Sequence, residues 1–407
     1  MKILILNNEY PPLGGGAGVC TKYEAQGLVA RGHEVTVLTA WFEGEKEVEK
    51  QGNLRIIRLK SLRKYEFKSN VIEMLSWAKH AKNFLNNHLN NETYDVVVAN
   101  YALPSGMVAK NVYEKFNIPY IVISHGHDIP FIFPKQMMKY HLVTYFWLKS
   151  IFESAAKTVL LTKEMKAAAD KFLGKNKAQN NVIIPNGCYI EAFMPNFSIK
   201  KEDFTIIFVG RLVEQKDPMT FLKALPILKE KNLKFQVNIL GDGPLRSKME
   251  NFVAENNLSE NVTFKGWVTK DEMIRQYQSA NLQVISSIAE AMSIAALESL
   301  SSGQYVISTP VSGNTDLIKA GINGEFIDYG DFSDLAIKIE TYHNEKFAEK
   351  YHVPHQYLQA FRKKYSWKGI CETYENLLEE VIETSKNEDS SSNENETVAE
   401  KAAFEYA

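Results

Sequence analysis

Three short segments in the second half of the chain bring charge and backbone donors to places where a phosphorylated ligand can be held. Gly210-Arg211-Leu212-Val213-Glu214-Gln215-Lys216-Asp217 follows the apolar run 204–209 and delivers two cations to its carboxyl end. Open α/β sheets bind ligands there, Arg through planar bidentate contacts to phosphate and Lys as a point charge. Gly241-Asp242-Gly243-Pro244 ends the next apolar run and opens a helix, with Pro near its first turn and glycines that permit close backbone approach. The third segment is Glu290-Ala291-Met292-Ser293-Ile294-Ala295-Ala296-Leu297-Glu298. Ser293 is a good helix cap, so Glu290 is expected in the preceding loop and Glu298 more than a turn inside the helix. The N–H groups of Ala291, Met292, Ser293 and Ile294 would then face a diphosphate, and Glu298 would accept hydrogen bonds from ribose hydroxyls. Each segment has a bland reading alone: solvated cations, a simple turn, two acids on a surface helix. Their occurrence together points to a nucleotide-diphosphate site.

A glycine-rich loop in the first half, Leu13-Gly14-Gly15-Gly16-Ala17-Gly18, also follows a strand and opens a helix. It does not fit the dinucleotide fingerprint. The third glycine position is Val19 or Thr21, and the second strand ends at Thr39-Ala40 with no carboxylate for a ribose. The loop reads as a turn, or as a backbone contact for a sugar or acceptor. His125-Gly126-His127-Asp128 could suggest a metal pair. No third ligand stands at motif spacing and no Asp-x-Asp occurs, so neither metal nor cofactor is expected.

These segments need sheets to carry them. Residues 2–7, 34–39, 54–59, 94–99, 119–124, 157–161 and 182–184 read as short buried strands, with a helix over 19–31 closed by Gly32. The pattern restarts after a polar linker at 195–203. Strands are expected at 204–209, 235–240, 261–264, 282–286, 305–308 and 325–327, with helices centred on 218–231, 244–256, 270–279, 294–302 and 314–320. This alternation predicts two doubly wound, Rossmann-like α/β domains, 1–195 and 196–360. Residues 361–384 read as a terminal helix and 385–407 as a disordered acidic tail.

The 407 residues are 45% hydrophobic and 24% charged, enough for a large core. Cys20, Cys188 and Cys371 form no CxxC pair, the start is no secretory segment, and no apolar run is long enough to span a bilayer. A cytoplasmic protein is expected, free or peripheral at the inner membrane face, without a nucleic-acid partner. The net charge of −2 hides +7 over 1–195 and −9 over 196–407. Between Arg55 and Lys82 there are eight bases and two acids, a solvated face or a contact for an anionic lipid surface or acceptor. The aromatic stretch Phe131–Phe152, with Phe133, Tyr140, Tyr145, Phe146 and Trp147, reads as a core helix or as part of such a contact.

Taken in order, the loop at 11–18, GHEVTVLT at 32–39, HGHD at 125–128, PNG at 185–187, GRLVEQKD, GDGP, the Glu290/Glu298 pair and SW at 366–367 resemble one family. It is the retaining glycosyltransferases of family 4 (group 1), with the GT-B fold of two Rossmann-like domains facing across a cleft. The resemblance covers residues 1–384. It implies transfer of a sugar from a nucleotide sugar to a glycan, lipid-linked or small-molecule acceptor, with the terminal helix crossing back to the first domain. It also implies that Arg211 and Lys216 bind the diphosphate and stabilise its charge as it leaves. Glu290 would contact the transferred sugar, Glu298 the ribose, and the backbone around Trp267 and Val268 the base. His125 would reach the sugar with Asp128 nearby, and Gly16 would lie against the diphosphate or sugar. Departure of a diphosphate needs mainly positioning and electrostatic stabilisation, so metal independence is expected. Ala291 stands where the family has Gly, and its Cβ and aversion to positive φ predict an altered phosphate geometry. Two further readings are a nucleotide-sugar epimerase on the same fold and a non-catalytic nucleotide-sugar-binding protein.

Overall fold

A computed structural model describes residues 1–66, 69–196, 203–347 and 353–405, for 134–136 and 388–405 as backbone. The chain forms two compact units. The first comprises Met1–Leu161, Met165–Ile184 and Ile370–Ala407, the second Thr162–Glu164 and Pro185–Gly369.

The first unit is built on eight strands: β1 (Lys2–Leu6), β2 (Glu34–Ala40), β3 (Val48–Gln51), β4 (Leu54–Leu59), β5 (Val96–Asn100), β6 (Tyr120–Ile123), β7 (Lys157–Leu160) and β8 (Asn181–Ile183). Their order is β3-β4-β2-β1-β5-β6-β7-β8, parallel except for the antiparallel β3–β4 pair. All five residues of β5 are buried, as expected where both faces of a sheet are covered. β3 is absent from the sequence reading because Val-Glu-Lys-Gln is an exposed edge strand without apolar alternation.

The second unit carries β9 (Thr205–Val209), β10 (Gln236–Leu240), β11 (Val262–Gly266), β12 (Leu282–Ile285), β13 (Tyr305–Ser308) and β14 (Gly324–Phe326), all parallel, in the order β11-β10-β9-β12-β13-β14. Phe221, Leu225, Leu335 and Ile339 from two covering helices meet Ile206, Phe208, Val237 and Val284 of the sheet in one core. Each such side chain contributes roughly 2 kcal/mol on burial.

The boundary falls at Ile184/Pro185, ahead of the polar linker, because the Pro-Asn-Gly segment is bonded into the second unit. Asn186 N–H meets the Met292 sulfur at 3.3 Å, and Cys188 N–H donates to Tyr365 O at 2.7 Å. Linker residues 197–202 lie outside the described residues. The terminal helix expected over 361–384 is two helices, His355–Lys364 and Trp367–Glu405. Ser366 separates them, its Oγ accepting the Gly369 N–H at 3.1 Å as a cap does. From Ile370 the chain belongs to the first unit, where Glu375 pairs with Arg31 and, at 2.7 Å, with His33. The segment from 385, expected to be disordered, continues this helix to Glu405. No Pro or Gly follows Gly369 to interrupt the backbone bonding.

Four of the eight bases in the stretch 55–82 are ion-paired among the described residues. Arg55 pairs with Glu92, Arg58 with Glu45 and Glu49, Lys60 with Glu47, and the buried Arg63 with Glu9. Acids from neighbouring segments neutralise these four bases, which a count along the sequence does not see.

Candidate active site

In the second sheet the strand order reverses between β9 and β12, and ligands bind at such switch points. Two of the three charged segments leave the sheet there. The loop after β9 and the loop after β12 are tied together. Ile288 N–H donates to Gln215 O at 2.8 Å, Gln215 Nε2 to Ala289 O at 2.9 Å, and Ser286 Oγ to Asp217 O at 2.7 Å. This brings Lys216 onto Glu290. The buried Glu290 carboxylate accepts from Lys216 Nζ and, at 2.7 Å, from the Ser287 hydroxyl. A buried charge persists when paired in this way. Lys216 and Glu290 are thus one ion pair, where the sequence suggested two separate contacts. Arg211 is exposed, and its side chain makes no hydrogen bond or ion pair among the described residues.

Ser293 caps the helix Ile294–Ser301, its Oγ accepting the Ala296 N–H at 3.3 Å. Ala291 and Ile294 are half-buried, while Met292 is buried beneath the Pro-Asn-Gly segment. Ala291 is not among the residues of positive φ, so it does not pay the conformational cost expected of a non-glycine there. Glu298 lies in the second turn of the helix. Burial pushes its carboxyl up to about 7, against a hydrogen bond from Tyr277 and the charge of Lys270. It is therefore close to half-ionised at neutral pH.

The Gly241–Pro244 segment is packed against the Arg211 loop. Gly241 has φ +119°, and a Cβ there would lie 2.1 Å from Gly210 O. Leu212 N–H donates to Asp242 O at 2.9 Å and Leu245 N–H to Leu212 O at 3.0 Å, so this loop buttresses the Arg211 loop. Gly241 N–H also donates to Gly266 O at 2.7 Å, setting the exposed Trp267 and half-buried Val268 beside it. Gly313 escaped the sequence reading: its missing Cβ makes room for Met292 Cα, which would be 2.3 Å away. Ser287 and Tyr277 escaped it too, since only folding brings them to Glu290 and Glu298.

In the first unit the order reverses between β1 and β5. Gly16 opens the helix Gly16–Ala30 after β1 and is exposed, and the N-cap Gly15 offers no side-chain bond. Asn100 closes β5, and His125 and Asp128 follow β6. Asn100 Nδ2 donates to buried Glu24 at 3.3 Å, so its Oδ1 faces His125 Nε2 at 2.8 Å. His125 then carries its proton on Nε2 and presents Nδ1 as an acceptor. Burial, and next the charge of His127, lowers it to about 3, so the ring is neutral. Tyr101, a non-glycine at φ 72°, packs its ring 4.7 Å from His125. Asp128 is buried and accepts from Ala102 N–H at 2.7 Å and from the Ser124 hydroxyl. Its carboxylate is bonded into the loop. Asn100, Tyr101 and Glu24 carry no motif signal and appear only in the fold.

Residues 190–360 match the family model for glycosyl transferases group 1, and residues 14–191 that for glycosyltransferase family 4. The chain is a group 1, family 4 glycosyltransferase. This enzyme is 27% identical over 383 residues to an uncharacterized glycosyltransferase of Methanocaldococcus jannaschii, covering 93% of this chain and 99% of that one. It is 28% identical over 263 residues to the Escherichia coli UDP-Gal:alpha-D-GlcNAc-diphosphoundecaprenol alpha-1,3-galactosyltransferase, covering 61% of this chain and 66% of that one. In fold it matches sucrose-phosphate synthase of Thermosynechococcus elongatus (TM-score 0.82, 19% identity, 94% and 99% of the two chains). It likewise matches Anabaena HepE in complex with UDP-glucose (TM-score 0.74, 17% identity, 93% and 100%). The glycosyltransferase has the two Rossmann-like α/β domains of the GT-B class. Its family membership sets aside the epimerase and the non-catalytic binder.

Proposed function

We propose that this glycosyltransferase takes its sugar from a nucleotide diphosphate at the β9/β12 switch point and passes it to a glycan or lipid-linked acceptor, with retention and without a resident metal. The observation that carries the reading is the convergence of Arg211, the Lys216–Glu290 pair and the Ser293-capped helix start on that one switch point. As the glycosidic bond to the diphosphate breaks, negative charge grows on the leaving oxygens. Arg211, Lys216 and the N–H groups near Ala291 and Met292 would stabilise it. Among the described residues no three His, Cys, Asp or Glu side chains converge to hold a metal ion. Glu298 is the candidate for the ribose, and the neutral His125 for a sugar hydroxyl. The structural neighbour bound to UDP-glucose supports a nucleotide-sugar donor, and the Escherichia coli relative a lipid-linked acceptor. Retention rests on the family resemblance.

UDP-, GDP- and ADP-linked sugars, screened by thermal shift and donor hydrolysis, test this. One class should stabilise the protein, and Lys216→Ala and Glu298→Ala should abolish the shift. If no nucleotide sugar stabilises the protein the reading fails, and if the shift survives both substitutions the site is misplaced.

A further inference from the structure

The helix Pro134–Ser154 is apolar on both sides. One side, with Leu148, Ile151 and Phe152, is buried in the first unit. At 100° per residue, Met138, Leu142, Phe146, Val143 and Trp147 fill the opposite half-turn. They are exposed by 60%, 74%, 81%, 82% and 59%, in that order. A helix apolar all round belongs in a core, yet this one has solvent on half its circumference. The sequence expectation of a core helix is met by only one of its faces.

The unpaired charges around this face are lysines, while Lys149 and Glu153, which share its C-terminal end, pair with each other. Lys139 lies on the exposed arc itself, and Lys171 stands 4.8 Å over the ring of exposed Phe131. Tyr145 packs on Phe172, so the helix carrying Lys171 adjoins this one, and Lys175 and Lys177 follow it. None of these four lysines is in an ion pair among the described residues. Of the acids of these segments, Glu153 is paired with Lys149 and Asp170 with Lys166, and Glu164 stands in the first turn of the helix carrying Lys171.

We propose that this face docks on an anionic lipid bilayer, with Phe146, Val143, Leu142 and Met138 in the interfacial layer, Trp147 at its edge and the lysines on the headgroups. Aromatic and aliphatic side chains flanked by lysine are what an in-plane interfacial helix requires. A second copy of the chain fits less well, since pairing this face with itself sets lysines against lysines. Among the described residues no helix is long and apolar enough to cross a membrane. Contact through this face would let the enzyme meet a lipid-linked acceptor at the surface where it resides.

The test is flotation of the full chain with phosphatidylcholine vesicles, with and without phosphatidylglycerol. Wild type should float only with the anionic vesicles, and less so in high salt. Val143→Glu with Phe146→Glu should lower the bound fraction about tenfold, while Phe146→Leu keeps it. Unchanged thermal stability and donor hydrolysis show that the double variant is folded, and the flotation readout does not depend on the donor reading. Failure of wild type to float, or equal flotation of the double variant, overturns the proposal. A wild-type dimer in light scattering that the double variant turns into monomers also overturns it, in favour of a second copy.

Discussion

If Glu298 holds the donor ribose as proposed, donor binding depends on pH in a way that can be worked out. Burial raises it to about 7 in the free protein. Ribose hydroxyls would donate to the ionised form, so binding should draw the value down and release a proton. The apparent dissociation constant then rises as pH falls through 7. With a free-state value near 7, affinity at pH 6 should be about tenfold weaker than at pH 8, with about half a proton released per donor bound at pH 7. A nucleotide sugar such as UDP-glucose is the right probe, because its diphosphate is a diester with no ionisation of its own in this range. Titration calorimetry in two buffers of different ionisation enthalpy measures both quantities. Glu298→Gln should weaken binding at pH 8 by roughly tenfold to a hundredfold and flatten the pH dependence. A pH-independent affinity in the wild type, or a slope that survives Glu298→Gln, refutes the assignment.

Arg211→Ala should leave the denaturation midpoint within about 0.5 kcal/mol, since its side chain is exposed and unpaired, and lower kcat roughly a hundredfold if it stabilises the leaving diphosphate. Lys216→Ala should cost stability as well, roughly 1–3 kcal/mol, because it strands the buried Glu290. Adding Glu290→Gln should recover part of that loss in chemical denaturation. Gly241→Ala should destabilise by roughly 2–4 kcal/mol through its positive φ and the carbonyl of Gly210. Gly44→Ala, also at positive φ but with open space around it, should cost about 1 kcal/mol. Glu24 has a folded value of about 7, raised first by burial above the ordinary 4.5. Its contribution to stability is therefore complete below pH 4.5 and lost as pH climbs through 7. Relative to wild type, Glu24→Gln should gain about 3 kcal/mol between pH 4 and pH 8, and a change of the opposite sign in urea titrations contradicts this.

Much of this glycosyltransferase is written in local pattern. Parallel strands buried on both faces, such as β5 and β9, appear as continuous apolar runs, and thirteen of the fourteen strands among the described residues are legible before folding is considered. Ser293 announces its helix because capping is a local hydrogen bond. Arg211, Lys216 and Glu290 stand out as charges in the loops that follow strands, and Glu298 by its spacing from Glu290. What the pattern could not supply is who meets whom. Ion pairing depends on residues far apart in sequence, so the basic stretch from Arg55 reads as a cationic face until Glu9, Glu45, Glu49 and Glu92 close on it. Lys216 and Glu290, 74 residues apart, become one pair only when β9 and β12 lie side by side at the switch point. Gly241 reads as a ligand contact until the neighbouring loop fills the space its missing Cβ leaves. The Pro134–Ser154 helix shows the limit most clearly. Hydrophobicity along a chain says that surface must leave water, but only the fold shows which half the protein covers and which half it leaves exposed.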